Sequence, residues 1–354
     1  MRPLVKTPTN GGSDAAGRQP TIRDVARLAG VAPITVSRVI NNTSYISPET
    51  RERVLSAIDT LHYVPNSISR SLRFKKTNML AMLVSDITNP FWTTVTRGAE
   101  DASSYHGLNI ILCNTDEKQD KFADYVNVLL QKQIDGFLLA PTGDDRASIA
   151  RIEKQGVPYV LIDRVLPNVH ADSVRSDSVT GAYLLTRHLI ALGHQRIAII
   201  TAPTVVSTGR ERLEGYLMAL EEAGITPDER LIHHGGYQHE TGYHATCAAL
   251  RSAATRPTAL FAGNNFIATG VLKALDEHGL RVPEDMSVVS FDDLPYGFYR
   301  KPFITVAVQE PYALGYEAAN LLIQRVNGDT NLPVQEIIYP VELIIRDSCA
   351  PPRE

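Results

Sequence analysis

Phe91 and Trp92 follow the apolar strand pattern Met79–Ser85. The same segment also carries Asp86 and Asn89. Aromatic rings can stack on the apolar face of a sugar ring, while carboxylate and amide groups bind its hydroxyls. Asp292 ends another apolar run, and its carboxylate is a natural bidentate acceptor for two hydroxyls. These residues indicate reversible binding of a small polar molecule, although ordinary core packing explains the aromatic pair equally well.

Sequence motifs for catalysis and for metal binding are missing. The chain has no Walker loop, no GxGxxG after a strand and no GxSxG elbow. His244 lies five residues after His239, which breaks the HExxH spacing that places two imidazoles on one helix face. We therefore expect no enzyme activity, no metal and no cofactor. We interpret the local histidines as part of a solvated loop: His233, His234, His239 and His244.

Cysteine usage and hydropathy predict a cytoplasmic protein. Cys113, Cys247 and Cys349 lie far apart and form no CxxC pair, which is typical of a reducing compartment. No apolar run approaches the roughly 18 residues of a membrane span. Residues 1–20 also lack the apolar core of a signal peptide. We expect neither secretion nor a membrane partner.

The charged residues are unevenly divided along the chain. The 354 residues include 35 Lys and Arg against 39 Asp and Glu, a net charge of −4. Residues 1–76 hold 12 basic and five acidic residues, a net +7, which leaves −11 for the remainder. A basic head on an acidic body favours a polyanionic partner for the head alone. On charge alone, a solvated basic face is the better explanation.

Three short helical patterns in the basic head offer a more specific explanation of its charge than a solvated face. They cover Thr21–Ala29, Pro33–Ile40 and a segment from Ser47 to about Leu61, and Gly30 supplies the first turn. This order is a helix-turn-helix, whose second helix enters the DNA major groove. The alternative is a small three-helix packing module. The residues of the second helix that we expect to face outward are Ile34, Thr35, Ser37 and Arg38.

Beyond residue 78, short apolar strands alternate with helices. Their nearly continuous apolar runs are typical of parallel strands covered on both faces. The length of this pattern predicts a body of two α/β lobes. The predicted strands are Met79–Ser85, Leu108–Asn114, Ile134–Ala140, Tyr159–Asp163, Arg196–Thr201, Ala259–Asn264, Val288–Asp292 and Val306–Gln309.

The segment Thr21–Asn41, TIRDVARLAGVAPITVSRVIN, resembles the head of the LacI/GalR family of bacterial transcription regulators. The resemblance continues through the hinge and into short body motifs such as Asn89-Pro90-Phe91 and Phe291-Asp292-Asp293. It implies a small all-α helix-turn-helix head and an α/β body of two parallel-sheet lobes, like periplasmic binding proteins.

The resemblance also implies domain boundaries. We expect a disordered tail over 1–19, a DNA-binding domain over 20–65 and a hinge helix with its linker over 66–77. The effector-binding and dimerisation domain is expected to cover 78–350. Within it, the N-lobe takes about 78–177 and 309–339, and the C-lobe about 178–308 and 340–350.

Roles in DNA binding follow from the same resemblance. Pro33 and Ile34 fall where the family varies base specificity, Arg38 where its Arg approaches the operator, and Leu72 where a Leu enters the minor groove. Two departures are Ala32, where the family usually has a capping Ser, and Ser69, where Ala is common in the hinge. The expected DNA-contacting residues are Thr21, Pro33, Ile34, Thr35, Ser37, Arg38, Asn41, Tyr45, Asn66, Ser69 and Leu72.

The resemblance places an effector site between the lobes. Arg164 is a candidate for facing an anionic group, with a surface ion pair as the equally good alternative. The expected effector-binding residues are Asp86, Asn89, Phe91, Trp92, Arg164, Thr208, Arg212, Tyr237, Asn264, Asn265, Asp292 and Gln309.

Together these patterns predict a ligand-responsive repressor of a carbohydrate-utilisation operon. We expect a homodimer that binds a pseudo-palindromic, double-stranded operator and a sugar or sugar-acid effector. The main alternative is a sugar-binding protein of the transport type, without a DNA function. An enzyme is third. The helix-turn-helix pattern argues against a transport-type protein, and the missing phosphate-binding motifs argue against an enzyme.

Operator affinity should fall steeply as salt is added, because basic side chains release counterions from DNA phosphates when they bind. Fluorescence anisotropy on the DNA upstream of the gene, repeated over a salt series, measures this slope. A flat salt profile would show that the basic head is not the DNA contact.

Overall fold

The computed structural model describes residues 19–64, 76–251, 256–294, 302–328 and 332–353. The chain divides at Lys75 into two compact units, a head and a body. The predicted tail up to residue 18 and the hinge residues Asn66, Ser69 and Leu72 lie outside the described residues. None of the described helices is both long and apolar enough to cross a membrane.

The head contains the three predicted helices: α1 (Ile22–Ala29), α2 (Pro33–Asn41) and α3 (Pro48–Thr60). Helix α1 begins where the Asp24 carboxylate accepts hydrogen bonds from the Thr21 amide, at 3.0 Å, and hydroxyl, at 2.7 Å. It ends at Gly30, whose φ of 65° suits a residue without Cβ. The buried residues of the head form one small core: Val25, Ala26, Ala29, Val36, Val39, Val54 and Ala57.

The body contains two six-stranded sheets. The strands, in chain order, are β1 (Met79–Val84), β2 (Asn109–Asn114), β3 (Gly136–Leu139), β4 (Tyr159–Ile162), β5 (Ser173–Ser176), β6 (Ile197–Thr201), β7 (Ile232–His234), β8 (Ala259–Ala262), β9 (Ser287–Phe291), β10 (Thr305–Val308), β11 (Glu336–Tyr339) and β12 (Glu342–Ile344). The first sheet has the order β11-β5-β4-β3-β1-β2, and the second β12-β10-β9-β8-β6-β7. All described pairs are parallel except β10 with β12.

Helices cover both faces of each sheet, which defines two lobes. The body helices are α4 (Pro90–Tyr105), α5 (Gln119–Gln131), α6 (Arg146–Lys154), α7 (Ser178–Ala191), α8 (Ser207–Glu222), α9 (His239–Arg251), α10 (Asn265–Glu277) and α11 (Pro311–Val326). On β1, Leu80 and Met82 pack towards α4 and α11, whereas Ala81 and Leu83 pack towards α5 and α6. Both sets are buried because successive strand residues face opposite sides. The predicted fold of a helical head and two parallel-sheet lobes is confirmed.

Four strands were missed by the sequence pattern: β5, β7, β11 and β12. Each has only three or four residues and contains polar side chains, so none forms an apolar run. The prediction of a solvated histidine loop is wrong. His233 and His234 lie on β7, and His239 and His244 lie on α9. The ring nitrogen Nδ1 of His239 lies 3.0 Å from the hydroxyl of Thr269, within hydrogen-bonding distance.

Glycines allow helix backbones in the body to touch. A Cβ added to Gly315 on α11 would collide with the carbonyl oxygen of Val95 on α4, and one added to Gly98 would collide with that of Tyr312. The two helices therefore cross backbone to backbone, and the colliding atoms are main-chain atoms that cannot rotate away. This close crossing fixes α4, whose first turn carries Phe91 and Trp92.

Gly315→Ala should destabilise the body by about 2 to 3 kcal/mol, because overpacking at a backbone contact forces the helices apart. Urea unfolding of the full chain measures the loss. Gly143→Ala is the matched control, since its Cβ would meet no heavy atom within 4 Å. Equal stability of the two variants would contradict the close crossing.

Candidate ligand-binding cleft and DNA-contacting helix

A cleft lies where strands of the two sheets end. It contains about 380 Å³ of atom-free space, part of it open to solvent. The carboxyl ends of parallel strands meet at one edge of each sheet, so the residues that follow them converge there. The lining residues are Ser85, Asp86, Asn89, Phe91, Trp92, Glu117, Asp163, Arg164, Thr208, Arg212, Tyr237, Asn264, Asp292 and Gln309.

Eleven of the 12 predicted effector residues are brought together in this lining. The twelfth, Asn265, is not part of the lining but contacts one of its residues. The Asn89 amide donates to Asn265 Oδ1 at 2.9 Å, and the Asn265 amide donates to Asn89 Oδ1 at 3.0 Å. Asn89 precedes α4 and Asn265 begins α10, so this reciprocal amide pair joins the two lobes. That these residues bind an effector stays a prediction.

Three lining residues were missed by the sequence analysis: Ser85, Glu117 and Asp163. Each follows a strand of the first sheet at its carboxyl end, which was the available signal. For Glu117, this position gave no sign of the pairing with Arg164, because the arginine is 47 positions away in sequence.

Phe91 and Trp92 form one apolar wall. Their rings meet edge to face, with centroids 5.0 Å apart, and both side chains are at least nine-tenths buried. Asn89 Oδ1 accepts a hydrogen bond from the Phe91 amide at 3.0 Å, and Pro90 occupies the first position of α4. The cap on the helix therefore also sets the position of the aromatic pair.

Arg212 lies on α8 between two aromatic rings. Its guanidinium is 3.8 Å from the centroid of the Phe291 ring and 5.4 Å from that of Tyr237. It donates from NH1 to the carbonyl oxygen of Gly263. The Tyr237 hydroxyl donates to Thr208 Oγ1 at 3.1 Å. These contacts hold a cation rigidly on the C-lobe side of the cleft.

Asp292 faces Arg212 from the end of β9. Its φ of 66° is left-handed, and Gln309 Nε2 donates to both carboxylate oxygens, at 2.8 and 3.0 Å. Burial raises the pKa of Asp292 to about 6, against the opposing effects of Arg212 and the Gln309 hydrogen bond. Burial likewise raises the pKa of Asp163. The cleft thus places two carboxylates where burial disfavours their charged form, which is common at binding sites.

Arg164 is only 3% exposed, and Glu117 binds it through two parallel hydrogen bonds of 2.7 Å. Burial alone would lower the pKa of Arg164, but the carboxylates of Glu117 and Asp163 hold it above its ordinary value. Arg164 thus lies in the cleft, as predicted, and the alternative of a surface ion pair is wrong, because its ion pair with Glu117 is buried. The guanidinium is already neutralised by a group of the chain itself.

Three buried polar atoms in the cleft have no hydrogen-bond partner among the described residues: Arg164 Nε, Arg212 Nε and Gln309 Oε1. Buried polar atoms are normally paired, so such a concentration is expected where a polar ligand binds. The lining contains two cations, Arg164 and Arg212, against the four carboxylates of Asp86, Glu117, Asp163 and Asp292. A neutral ligand that both donates and accepts hydrogen bonds suits this balance.

In the head, α2 presents its predicted residues in two ways. Pro33, Ile34 and Arg38 are exposed, and Ile34 keeps 50% of its surface. Thr35 and Ser37 are half-buried. Among the others, Tyr45 is 89% exposed, Thr21 and Asn41 are half-buried, and the Asn41 amide donates to the Ser37 carbonyl at 2.8 Å. Ala32 gives α2 no side-chain cap, which leaves Pro33 to begin the helix.

A helix-turn-helix head followed by a two-lobed body with a polar cleft defines a ligand-responsive, DNA-binding transcription regulator. A family model described as "Bacterial regulatory proteins, lacI family" matches residues 21–66. A second, "Periplasmic binding proteins and sugar binding domain of LacI family", matches residues 77–347. The chain belongs to the LacI family.

Individual relatives agree over nearly the whole length. The HTH-type transcriptional repressor PurR of Photobacterium profundum is 35% identical over 329 residues, which cover 93% of this chain and 98% of the repressor. The transcriptional regulator CelR in complex with cellobiose is 34% identical, with a TM-score of 0.69, over 93% of this chain and 99% of that chain. A lac repressor dimer bound to operator and the anti-inducer ONPF is 28% identical, with a TM-score of 0.81, over 94% and 100%.

Asp292→Asn should stabilise the unliganded protein at pH 8 by about 1 to 2 kcal/mol, a value reduced for solvent access through the cleft. A raised pKa means that folding favours the protonated carboxyl, so this contribution to stability is complete below about pH 4 and lost as pH rises through about 6. The gain of the variant should therefore vanish near pH 4. Urea unfolding at several pH values measures it.

Asp293→Asn is the matched control, because that carboxylate forms an ion pair with Arg346 at 2.7 Å. It should give no such gain at pH 8. A stability gain for Asp292→Asn that does not depend on pH would contradict the role of its charge.

Proposed function

We propose that this LacI-family regulator binds a neutral carbohydrate in its cleft and represses a carbohydrate-utilisation operon. The observation that carries the proposal is the combination of an aromatic wall, Phe91 and Trp92, with a lining of two cations and four carboxylates. Rings suit the apolar face of a sugar, and carboxylates and amides suit its hydroxyls. The similar regulator CelR, whose structure is of a complex with cellobiose, supports a carbohydrate as the class of effector.

Of the two expected effectors, a sugar and a sugar acid, we propose the neutral sugar. On the sequence alone, Arg164 together with Arg212 would allow a sugar acid. The pairing of Arg164 with Glu117 removes that argument, since the guanidinium already has a carboxylate partner. Arg212 also has Asp292 opposite it, with which it interacts electrostatically.

The ligand acts, in this proposal, by changing how the lobes meet. The cleft is lined by residues of both lobes. Two contacts join the lobes: the uncharged Asn89–Asn265 amide pair and an ion pair of Arg175 with Glu211 at 3.6 Å. A ligand shifts a two-state equilibrium only by its difference in affinity for the two states. A ligand that prefers the state with separated hinges induces transcription, and one that prefers apposed hinges represses it.

The DNA side of the proposal rests on the head. As a homodimer, the protein would place two copies of α2 on the half-sites of a pseudo-palindromic operator. Leu72, outside the described residues, would act as an apolar wedge in the minor groove, kinking the duplex between the half-sites. We propose a regulator without enzymatic activity, which acts in the bacterial cytoplasm and on the nucleoid when bound to operator.

Trp92 is the single tryptophan of the chain and lines the cleft, so its fluorescence reports on ligand binding. We expect a neutral pentose, hexose or disaccharide to change this fluorescence, to raise the melting temperature and to change the affinity for the upstream DNA in a gel shift. The Asp292→Ala variant should still bind that DNA but lose its response to the sugar. Arg210→Ala, an exchange outside the lining, is the matched control and should keep both.

A response to nucleosides with none to any sugar would overturn the carbohydrate proposal while leaving the regulator intact. Failure of the wild-type chain to bind the upstream DNA at any salt concentration would instead overturn the assignment of the operator.

A further inference from the structure

Arg164 has almost no hydrogen-bonding capacity left for a ligand. Its Nη1 donates to Glu117 Oε2 at 2.7 Å and to the Pro141 carbonyl at 3.1 Å. Its Nη2 donates to Glu117 Oε1 at 2.7 Å and lies 3.5 Å from Ser85 Oγ. Only Nε lacks a hydrogen-bond partner among the described residues, and the Asp163 carboxylate lies 3.7 Å from it.

Glu117 occupies the end of the guanidinium, one of its two edges that can bind a carboxylate, and the Asp163 carboxylate lies beside the other, 3.7 Å from Nε. Two parallel N–H donors match the two oxygens of a carboxylate, and this fork is the preferred geometry for binding such an anion. An acid that used this fork would have to displace Glu117. The displaced carboxylate would then face the cleft together with the acid, Asp163 and Asp292.

The backbone holds Glu117 in this place. Asp116 and Glu117 have φ values of 53° and 56°, a left-handed conformation that is uncommon for residues with a side chain. The Glu117 amide donates to the Ser85 carbonyl at 3.3 Å, and the Thr115 amide to the Val84 carbonyl at 2.9 Å. The turn is thus tied to the end of β1. Such conformations persist where surrounding contacts determine them, and they are concentrated at ligand sites.

The neighbouring Asp116 does not share this role. Its carboxylate pairs with Lys121 at 2.8 Å and accepts from the Asn114 amide at 2.5 Å, and it is not part of the cleft lining. Two consecutive acids with the same backbone conformation thus differ in what they contact. One is a surface charge, and the other lies against the buried arginine.

We propose that Glu117 is a specificity-determining residue, which fills the carboxylate-binding fork of Arg164 and so excludes aldonic and uronic acids in favour of neutral sugars. The inference rests on the proposed function, because it requires that the cleft binds carbohydrates. Glu117 acts as a built-in competitor, because it supplies the anion that the Arg164 guanidinium requires. Its removal should change which ligand binds more than how tightly the best ligand binds.

The test is a titration of Trp92 fluorescence in the full chain. The ligands are pairs of a neutral sugar and its acid: glucose with gluconate and glucuronate, and ribose with ribonate. The proteins are wild type, Glu117→Gln and Asp116→Asn. Glutamine keeps the length and shape of Glu117, removes its charge and replaces one of its two acceptor oxygens by an NH2 donor. Asp116→Asn removes one charge from the same turn without touching Arg164.

For wild type we expect binding of a neutral sugar and much weaker binding of its acid. Glu117→Gln should shift the ratio of acid to neutral affinity towards the acid by about tenfold or more, the effect of one hydrogen-bonded charge pair. Asp116→Asn should leave the ratio unchanged. A second variant, Glu117→Asp, retains the charge but withdraws it from the arginine, and should shift the ratio in the same direction by less.

Retained operator binding and an unchanged circular dichroism spectrum show that each variant is folded; if Glu117→Gln is not, Glu117→Asp decides the question. Neutral sugars that bind wild type with no shift of the ratio in either Glu117 variant would overturn this inference alone. An equal shift in Asp116→Asn would also overturn it. Acids that bind wild type more tightly than neutral sugars would overturn the exclusion directly. If neither sugars nor acids bind, the proposed function fails and the inference fails with it.

Discussion

Each sheet of the body is covered by helices on both faces, and this constraint determines where polar chemistry can occur. Strand residues such as Leu80 and Ala81 are fully buried, so a charged side chain on either face would lose its hydration. Polar groups are therefore concentrated after the strands, as with Ser85, Asp163 and Asp292. Since the strands of one sheet are nearly all parallel, these groups gather at one edge of each lobe. The cleft is a consequence of how the sheets are buried.

The cleft then brings together charges that no surface site would require. Burial raises the pKa values of Asp163 and Asp292, whereas the carboxylates beside Arg164 hold its pKa above the ordinary value. Removing the Glu117 carboxylate would leave the buried charge of Arg164 without its bidentate partner, which is costly at low dielectric. The stability of the unliganded body is thus partly given up at the site where a ligand would bind, a common relation between stability and function.

Most of the fold could be predicted from the sequence for reasons that are local, whereas most residues of the candidate site were predicted from the resemblance to the LacI/GalR family. The helices of the head have capping residues, turn residues and apolar spacing within a few positions of each other, as Thr21, Asp24 and Gly30 show. The central strands are apolar runs. What could not be predicted depends on distant residues: the polar strand β5 exists because β4 and β11 pair with it, and Glu117 lies against Arg164, 47 positions later.

The amide pair of Asn89 and Asn265 makes the contact between the lobes respond to solution conditions differently from the contact between the head and DNA. Both groups are uncharged, and neither titrates, so this link between the lobes is insensitive to ionic strength and to pH. Attachment of the basic head to DNA, by contrast, depends strongly on salt. A change in ionic strength would then alter how long the regulator stays on its operator without altering this contact between the lobes.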